Sequence, residues 1–274
     1  MDVSALSSID LARAREASAA AGRPAVALLP TGACEQHGPF LPLGCDTAIA
    51  RAVAEQVDLR AAKEGAFDAY RFPPIDYSPV QTGISYAGTV SVSQDVFRTN
   101  VDAVIRELLR QGFDAVAVVN GHGINTPCLL EKAHDVLDAQ FRERAPVRRP
   151  VLVVDTFKAN TEVAKRFGRE AGYHADWIEL LLAMAAYGAG VFTPERIAAY
   201  RAWASTPAAA PSAPSSIVGI PIELRSREGV RGDPMPPEGD WWKNAIEAMG
   251  ITCARAYLTV RDDLLDFRRQ FAKG

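Results

Sequence analysis

The stretch AVAVV at Ala115–Val119 is the clearest buried strand in the sequence, because five consecutive small or β-branched apolar residues leave it no polar face. An amphipathic helix is predicted before it, at Gln94–Gln111, and another helix after it, at Thr126–Phe141. Parallel strands need a long crossover between them, so helices on both sides of a buried strand favour a parallel sheet.

The same alternation continues outward along the chain. AVALLP at Ala25–Pro30 is a second continuous apolar run, and weaker strand candidates lie at Phe67–Phe72 and Pro150–Val154. Further helices are predicted at Thr47–Ala62, Trp177–Tyr187 and Trp241–Ala256. The sequence therefore predicts an α/β fold in which helices cover both faces of a mainly parallel sheet.

The length of 274 residues suits one large α/β domain, and we expect residues 1–274 to form a single domain. The segment STPAAAPSAPSS, residues 205–216, is rich in Pro, Ala and Ser, and we interpret it as a surface loop or an arm. Ile217–Pro236 follows it and has the pattern of a strand and a Gly/Pro-rich turn.

The composition is typical of a soluble globular protein, with 48% hydrophobic and 23% charged residues. The net charge of −3 and the lack of a long run of like charges do not indicate a nucleic-acid partner. No apolar stretch is long enough to cross a membrane. Met1–Ala21 lacks the basic start and apolar centre of a secretory signal, so a cytoplasmic location is predicted.

Ligand-type residues follow the predicted strand at Ala25–Pro30, in the segment TGACEQHGPFLPLGCD. Glu35 and His37 are two residues apart, so in an extended chain they point to the same side. Asp46 follows across a turn rich in Pro and Gly, which is able to return it toward the end of the strand. A mixed set of Glu, His and Asp suits zinc, manganese or iron(II).

A second such segment, NGHGIN at Asn120–Asn125, follows the strand at Ala115–Val119. Ligands collect beyond the carboxyl ends of the strands in an open parallel sheet. If the two strands are neighbours, four side chains converge on one metal site: Glu35, His37, Asp46 and His122. Taken singly, each has an ordinary alternative, such as Asp46 capping the helix at Thr47. Their occurrence together in a chain with only four histidines favours the metal site.

The segment HADWIE at His174–Glu179 leaves two interpretations open. His174 is expected to precede a helix, with Asp176 near its N-cap and Glu179 at the third helical position. In the first interpretation, Asp176 and Glu179 form a capping-box-like pair at the start of the helix. In the second, Glu179 is a metal ligand. Trp177 beside them is able to stack on a planar substrate, although a core position is favoured.

These segments together resemble the creatininase (creatinine amidohydrolase) family. The run E-Q-H-G-P-x-L-P-L-G-x-D-T at Glu35–Thr47 is similar to the signature of that family, and it is long and specific. Shorter matches follow at Gly88–Ser91 (GTVS), Asn120–Asn125 (NGHG-x-N), His174–Glu179 (HA-x-x-x-E) and Gly229–Pro234 (GVRGDP). The resemblance covers the chain from about Ala25 to the last helix.

The resemblance implies a three-layer α/β/α sandwich, a homo-oligomer that is often a hexamer, and two divalent metal ions of zinc, manganese or iron. Asp46 would bridge the two ions. Glu35 and His122 would hold one ion, while His37 and Glu179 would hold the other.

The resemblance also implies His174 as the acid/base that moves protons, with Glu179 beside it as the second catalytic residue. Five positions depart from the family pattern, which has HAGE-x-ETS and NGHGGN where this chain has HADWIELL and NGHGIN. Two of them, Leu180 and Leu181, replace Thr and Ser after the glutamate, and three more stand on the substrate side. These positions, Ile124, Asp176 and Trp177, are predicted to contact the substrate. Creatininase proper has a glutamate in place of Ile124, so creatinine is not the expected substrate.

The predicted function is a metal-dependent amidohydrolase, which cleaves a C–N bond of a small amide, lactam or formamide through a metal-activated hydroxide. The enzyme class is hydrolases of carbon–nitrogen bonds other than peptide bonds. One alternative is a hydrolase of the same fold that acts on a C–C or C–O bond of a cyclic keto-sugar or lactone. The other is a catalytically silent metal-binding homologue.

Overall fold

The computed structural model describes residues 1–80, 83–206 and 228–271. Its central sheet has four parallel strands in the order β2-β1-β3-β4. The strands are β1 (Ala25–Thr31), β2 (Asp68–Arg71), β3 (Ala115–Asn120) and β4 (Val151–Asp155). The two central strands are buried along their whole length, as their continuous apolar sequences predict.

Eight α-helices surround the sheet in the described residues. They are α1 (Ser8–Ala20), α2 (Cys45–Glu64), α3 (Gln94–Arg110), α4 (Thr126–Arg142), α5 (Asn160–Phe167), α6 (Trp177–Tyr187), α7 (Pro194–Ala204) and α8 (Trp241–Phe271). Three short 3-10 helices lie at Val3–Ala5, Gly123–Asn125 and Thr156–Ala159.

Two apolar clusters, one on each face of the sheet, confirm the predicted layered α/β fold. Along β1, Val26 and Leu28 pack into the cluster formed with α2, α6 and α8. The alternate residues Ala27 and Leu29 pack into the cluster formed with α3 and α4. This alternation follows from the two-residue period of a strand, so both faces of β1 are covered.

Several helices differ from the sequence prediction. The helix predicted from Thr47 begins at Cys45, which places Asp46 inside its first turn. The last helix continues past the predicted end at Ala256 to Phe271, because its buried apolar stripe continues through Val260 and Leu264. Helices α1, α5 and α7 were not predicted, since they are short or mostly polar.

Two predicted segments lie largely outside the described residues. Of the Pro/Ala/Ser-rich segment, only residues 205 and 206 are described, directly after α7. The strand expected in Ile217–Pro236 lies outside for its first part, and the described part, from residue 228, is a turn. Among the described helices, none combines the length and the apolar composition that crossing a bilayer demands.

The strand order creates a crevice at the carboxyl ends of β1 and β3. From β1 the chain passes through α2 to β2 on one side, whereas β3 pairs with the other side of β1. Helix α2 covers one face of the sheet, while α3 and α4 cover the other. Ligands bind at such a reversal of strand order in open α/β sheets, so this edge is the expected place for a site.

A buried amide holds the strand ends at this edge together. Asn120, at the end of β3, donates from Nδ2 to Asp155 Oδ1 (2.8 Å) at the end of β4. Its Oδ1 accepts hydrogen bonds from Thr31 Oγ1 (3.2 Å), at the end of β1, and from the backbone N–H of His122 (3.1 Å). The three strand ends and the backbone of His122 are therefore fixed by one side chain.

We predict that Gly121→Ala destabilises the protein, because α2 approaches β3 too closely for a side chain at this position. A Cβ on Gly121 would lie 2.2 Å from the carbonyl oxygen of Asp46. We expect the free energy of unfolding to fall by about 1–3 kcal/mol, as for overpacked sites. Denaturant unfolding followed by circular dichroism measures the change.

Gly123→Ala is the matched control, since the nearest atom to its added Cβ would be Phe157 Cζ at 4.0 Å. We expect it to stay within about 0.5 kcal/mol of the unmodified protein. Equal stability of the two variants would show that the contact between Gly121 and α2 is not tight.

Candidate metal centre

The predicted ligands meet at the crevice between β1 and β3. Four segments supply them: the loop after β1, the first turn of α2, the residues after β3 and the first turn of α6. The side chains are Glu35, His37, Asp46, His122 and Glu179. The first four are buried, and Glu179 is partly exposed to a cavity of about 480 Å³.

Two of the three candidate ligand groups share Asp46 and are called the first and the second set, while the third group joins Glu35, His37 and His174. In the first set, His122 Nδ1 lies 3.1 Å from Glu35 Oε1 and 3.1 Å from Asp46 Oδ2. In the second set, His37 Nε2 lies 3.0 Å from Asp46 Oδ1 and 3.8 Å from Glu179 Oε2. Within each set, one ligand atom from each of three residues lies within 4.8 Å of the others. Asp46 thus offers one oxygen to each set.

Backbone carbonyls orient both histidines toward these carboxylates. The ring nitrogen His37 Nδ1 lies 3.1 Å from the carbonyl oxygen of Glu35, and His122 Nε2 lies 3.1 Å from that of Pro79. A carbonyl only accepts hydrogen bonds, so these nitrogens carry the proton and donate. The other nitrogen of each ring faces the carboxylates, where its lone pair would bind a metal ion once the ion displaces the proton, which is the arrangement of metal-binding histidines.

The charge balance of the cluster favours added positive charge. Burial alone would lower the pKa of His37, but the carboxylates of Asp46, Glu179 and Glu35 outweigh it and raise the pKa to about 10. The pKa of His122 is likewise raised against its burial by Asp46 and Glu35. Burial would raise the pKa of Asp46, yet the two histidines hold it below its usual value.

One buried oxygen in the cluster lacks a partner. Asp46 Oδ2 makes no hydrogen bond of acceptable geometry within the described residues, although His122 Nδ1 lies near it. Buried polar atoms are rarely left so, because desolvation without a partner costs about 1–3 kcal/mol. Nitrogen and oxygen donors around such an atom fit divalent zinc, manganese or iron.

His174 stands beside the cluster on the wall of the cavity. Its Nε2–H donates to the carbonyl oxygen of Gln36 (2.9 Å), and its Nδ1 lies 3.8 Å from Glu35 Oε1. Its ring centroid is 4.5 Å from that of His37. The nitrogen that is free to exchange a proton therefore faces the candidate metal centre.

The model of one protein family, described as creatininase (creatinine amidohydrolase), matches residues 11–255. The match covers most of the chain. The chain belongs to the creatininase family. The predicted resemblance is therefore confirmed across the sheet, the helices and the segments that supply the candidate ligands.

Curated relatives within or near this family match part of the chain. A mycofactocin precursor peptide peptidase of Mycolicibacterium smegmatis is 35% identical over 137 residues, which are 50% of this chain and 55% of that protein. A creatinine amidohydrolase of Pseudomonas putida is 31% identical over 121 residues, 42% of this chain and 44% of that protein. The chain thus spans about half the length of the curated relatives it matches.

Solved creatininase structures match the whole fold. A structure titled "Creatininase Mn" has a TM-score of 0.72 and 21% sequence identity, and the match covers 98% of each chain. This likeness supports the layered architecture of the creatininase family for this chain.

Helix α6 bears on the question that the HADWIE segment left open. Asp176 is the N-cap of α6, and its Oδ1 accepts from the backbone N–H groups of Ile178 and Glu179, both at 3.1 Å. The Glu179 carboxylate accepts from the backbone N–H of Ala175 and faces His37. Asp176 therefore caps the helix, while the same Glu179 oxygen both accepts the N–H of Ala175 and lies 3.8 Å from His37 Nε2, so the structure is compatible with both roles of Glu179.

The three departing positions that were predicted to contact the substrate have different surroundings in the structure. Ile124 lines the cavity, as predicted for a residue that contacts substrate. Trp177 is fully buried, donates its indole N–H to the carbonyl of Glu170 (2.9 Å) and does not line the cavity. The Asp176 carboxylate is also buried, and backbone amides occupy it. The predicted substrate contacts of Trp177 and Asp176 therefore do not fit this structure. Trp177 takes the core position that the sequence favoured, and the buried Asp176 carboxylate is bound by backbone amides of α6.

Other residues of this creatininase-family site were not predicted from the sequence. Gln36 joins two distant segments, since its Nε2 donates to the carbonyl of Gly229 (3.3 Å) and its Oε1 accepts from the N–H of Gly38 (2.8 Å). Arg231 also lines the cavity. It lies in the GVRGDP turn, to which the sequence assigned no function. The carbonyl of Pro79 could not be predicted from the sequence, because every residue type has a backbone carbonyl.

We predict that metal content depends on the shared aspartate most of all. Asp46→Ala should remove both ions, because Asp46 belongs to both sets, whereas His37→Ala should remove one of two. Mass spectrometry of the purified variants after dialysis measures metal per chain. His134→Ala is the control, since His134 is exposed on α4 and belongs to neither set. Undiminished metal in the Asp46 and His37 variants would refute the site.

Proposed function

We propose that this chain is a metal-dependent hydrolase that cleaves a C–N bond in a small amide, lactam or formamide. The observation that carries the proposal is the pair of ligand sets that share Asp46 beside His174 in one cavity. The names of the two relatives described above support the bond type, since creatinine amidohydrolase and a peptide peptidase both hydrolyse C–N bonds.

The residues present suit two divalent ions of zinc, manganese or iron. Glu35 and His122 would hold one ion, His37 and Glu179 the other, and Asp46 would bridge them. When bound, such ions lower the pKa of water toward neutrality and polarise a carbonyl. Glu35 and Asp46 would hold the ions rigidly, because both carboxylates are buried and neither is free to turn toward solvent.

His174 would move the proton that hydrolysis transfers from water to the leaving nitrogen. The carbonyl of Gln36 fixes the proton on Nε2, so Nδ1 is the nitrogen that accepts and returns a proton. This nitrogen lies 3.8 Å from Glu35 Oε1, at the edge of the proposed metal centre. Glu179 supports the same centre, since the N–H of Ala175 holds its carboxylate toward His37.

We expect the metal-supplemented protein to hydrolyse at least one member of a panel of lactams, formamides and cyclic ureas. Chelation should abolish the activity, and zinc, manganese or iron(II) should restore it. His174→Ala should lower kcat by about 100- to 10,000-fold with metal content unchanged, as expected for a lost acid/base. Liquid chromatography of the products measures the rates.

His134→Ala serves as the control, because this histidine is exposed and outside the cavity. Lactones and cyclic keto-sugars belong in the same panel. Turnover of these alone would favour C–O or C–C cleavage over the proposed C–N cleavage. Metal binding without turnover of any compound would favour a catalytically silent homologue.

A further inference from the structure

A guanidinium group stands in the wall of the catalytic cavity. Arg231 lines the cavity together with His174, Glu35, Asp46 and Glu179. It stands on the turn at Gly229–Pro234 and belongs to neither candidate ligand set. A cationic side chain outside the ligand sets, in the wall of the same cavity, is a candidate for substrate selection.

The backbone of Arg231 is paired with the backbone of the proposed acid/base. The Arg231 N–H donates to the carbonyl of His174 (2.8 Å), and the His174 N–H donates to the carbonyl of Arg231 (3.2 Å). Residues that exchange both hydrogen bonds in an antiparallel pair lie directly opposite, and their side chains leave on the same face. The side chains of Arg231 and His174 therefore leave the paired backbones on the same face, and both residues line the cavity.

The turn that carries Arg231 is held by the first metal-ligand segment. Gly229 has φ +85° and accepts a hydrogen bond from Gln36 Nε2, and a Cβ at this position would lie 2.0 Å from that nitrogen. On its other side, the Arg231 guanidinium lies 5.5 Å from the centre of the Tyr173 ring. The backbone of Arg231 is thus held by its pairing with His174 and by the turn at Gly229, while its guanidinium contacts the ring of the exposed Tyr173.

Among the residues that the structure describes, the charge on Arg231 has no close carboxylate partner. Within residues 1–80, 83–206 and 228–271, no carboxylate lies within 4.0 Å of its guanidinium nitrogens. The three carboxylates of the cavity belong to the proposed metal sets, where two divalent ions would offset them. Of the described residues that line the cavity, Arg231 then presents a fork of N–H donors without a carboxylate partner, and the geometry of this fork matches a carboxylate.

We propose that Arg231 binds a carboxylate carried on the nitrogen side of the scissile amide, so that the substrates are N-acyl amino acids or peptides with a free C-terminus. This inference rests on the proposed function. The nitrogen side is selected because His174, which would protonate the leaving nitrogen, is the backbone partner of Arg231. The product released past His174 is then an amine that carries the carboxylate.

The test compares matched acids and amides by calorimetry and by product analysis on the metal-loaded full chain. The probes are N-acetylglycine and triglycine, each with its C-terminal amide, and succinamic acid, whose carboxylate lies on the carbonyl side. We expect at least one free acid of the first two to bind at least tenfold more tightly than its amide. N-acetylglycine and triglycine distinguish a small acid from a peptide terminus.

Arg231→Met should lower the affinity for that acid by about 10- to 100-fold, as expected for a lost charge-assisted contact, and leave the affinity for the amide unchanged. Arg231→Lys should restore only part of the difference, because it keeps the charge without the fork. Arg13→Met, on the exposed surface of α1, should change neither affinity. Metal content and thermal unfolding confirm that each variant is folded.

Equal binding of acids and amides, no binding of either acid, or discrimination that survives Arg231→Met would overturn the inference. Equally tight, Arg231-dependent binding of succinamic acid would overturn the assignment to the nitrogen side. Arg231-dependent binding without hydrolysis would instead count against the proposed function, so the two failures give different results.

Discussion

Asp46 is a carboxylate with 2% of its surface exposed, and the arrangement of this edge of the sheet follows from the need to compensate it. A buried charge without partners costs several kcal/mol. Its oxygens lie 3.0 Å from His37, which follows β1, and 3.1 Å from His122, which follows β3. The first turn of α2 adds the favourable end of a helix dipole. One side chain thereby couples two strand ends and a helix start.

The sequence was sufficient for the sheet and for most of the candidate centre. The apolar runs of β1 and β3 predicted two buried parallel strands, and the ligand residues directly after them meet because the structure pairs these two strands. Helix α1 was missed, although its signal was present, since Ser7 and Asp10 form a capping box. The length of helix α8 was underestimated, because the buried apolar stripe that continues through Val260 and Leu264 was not recognised.

Contacts made by the backbone and between distant segments could not be predicted from sequence. The orientation of His122 depends on the carbonyl of Pro79, which lies 43 residues away and is independent of residue type. The segment around Trp177 shows the opposite case. A large aromatic residue beside an acid/base suggests a substrate contact, but the buried face of α6 removes its indole from the cavity. Only the three-dimensional packing distinguishes these outcomes.

Main-chain oxygens orient all three histidines of this edge: the carbonyls of Glu35, Pro79 and Gln36 accept from His37, His122 and His174, respectively. No amino-acid substitution deletes a carbonyl oxygen, so the ring orientations are robust to sequence drift in the residues that supply them. The reactive groups are therefore free to persist while neighbouring side chains diversify. Because the backbone sets the orientation of these histidines, changes in the loops are able to alter the specificity of the scaffold without altering the geometry of its candidate metal-binding residues.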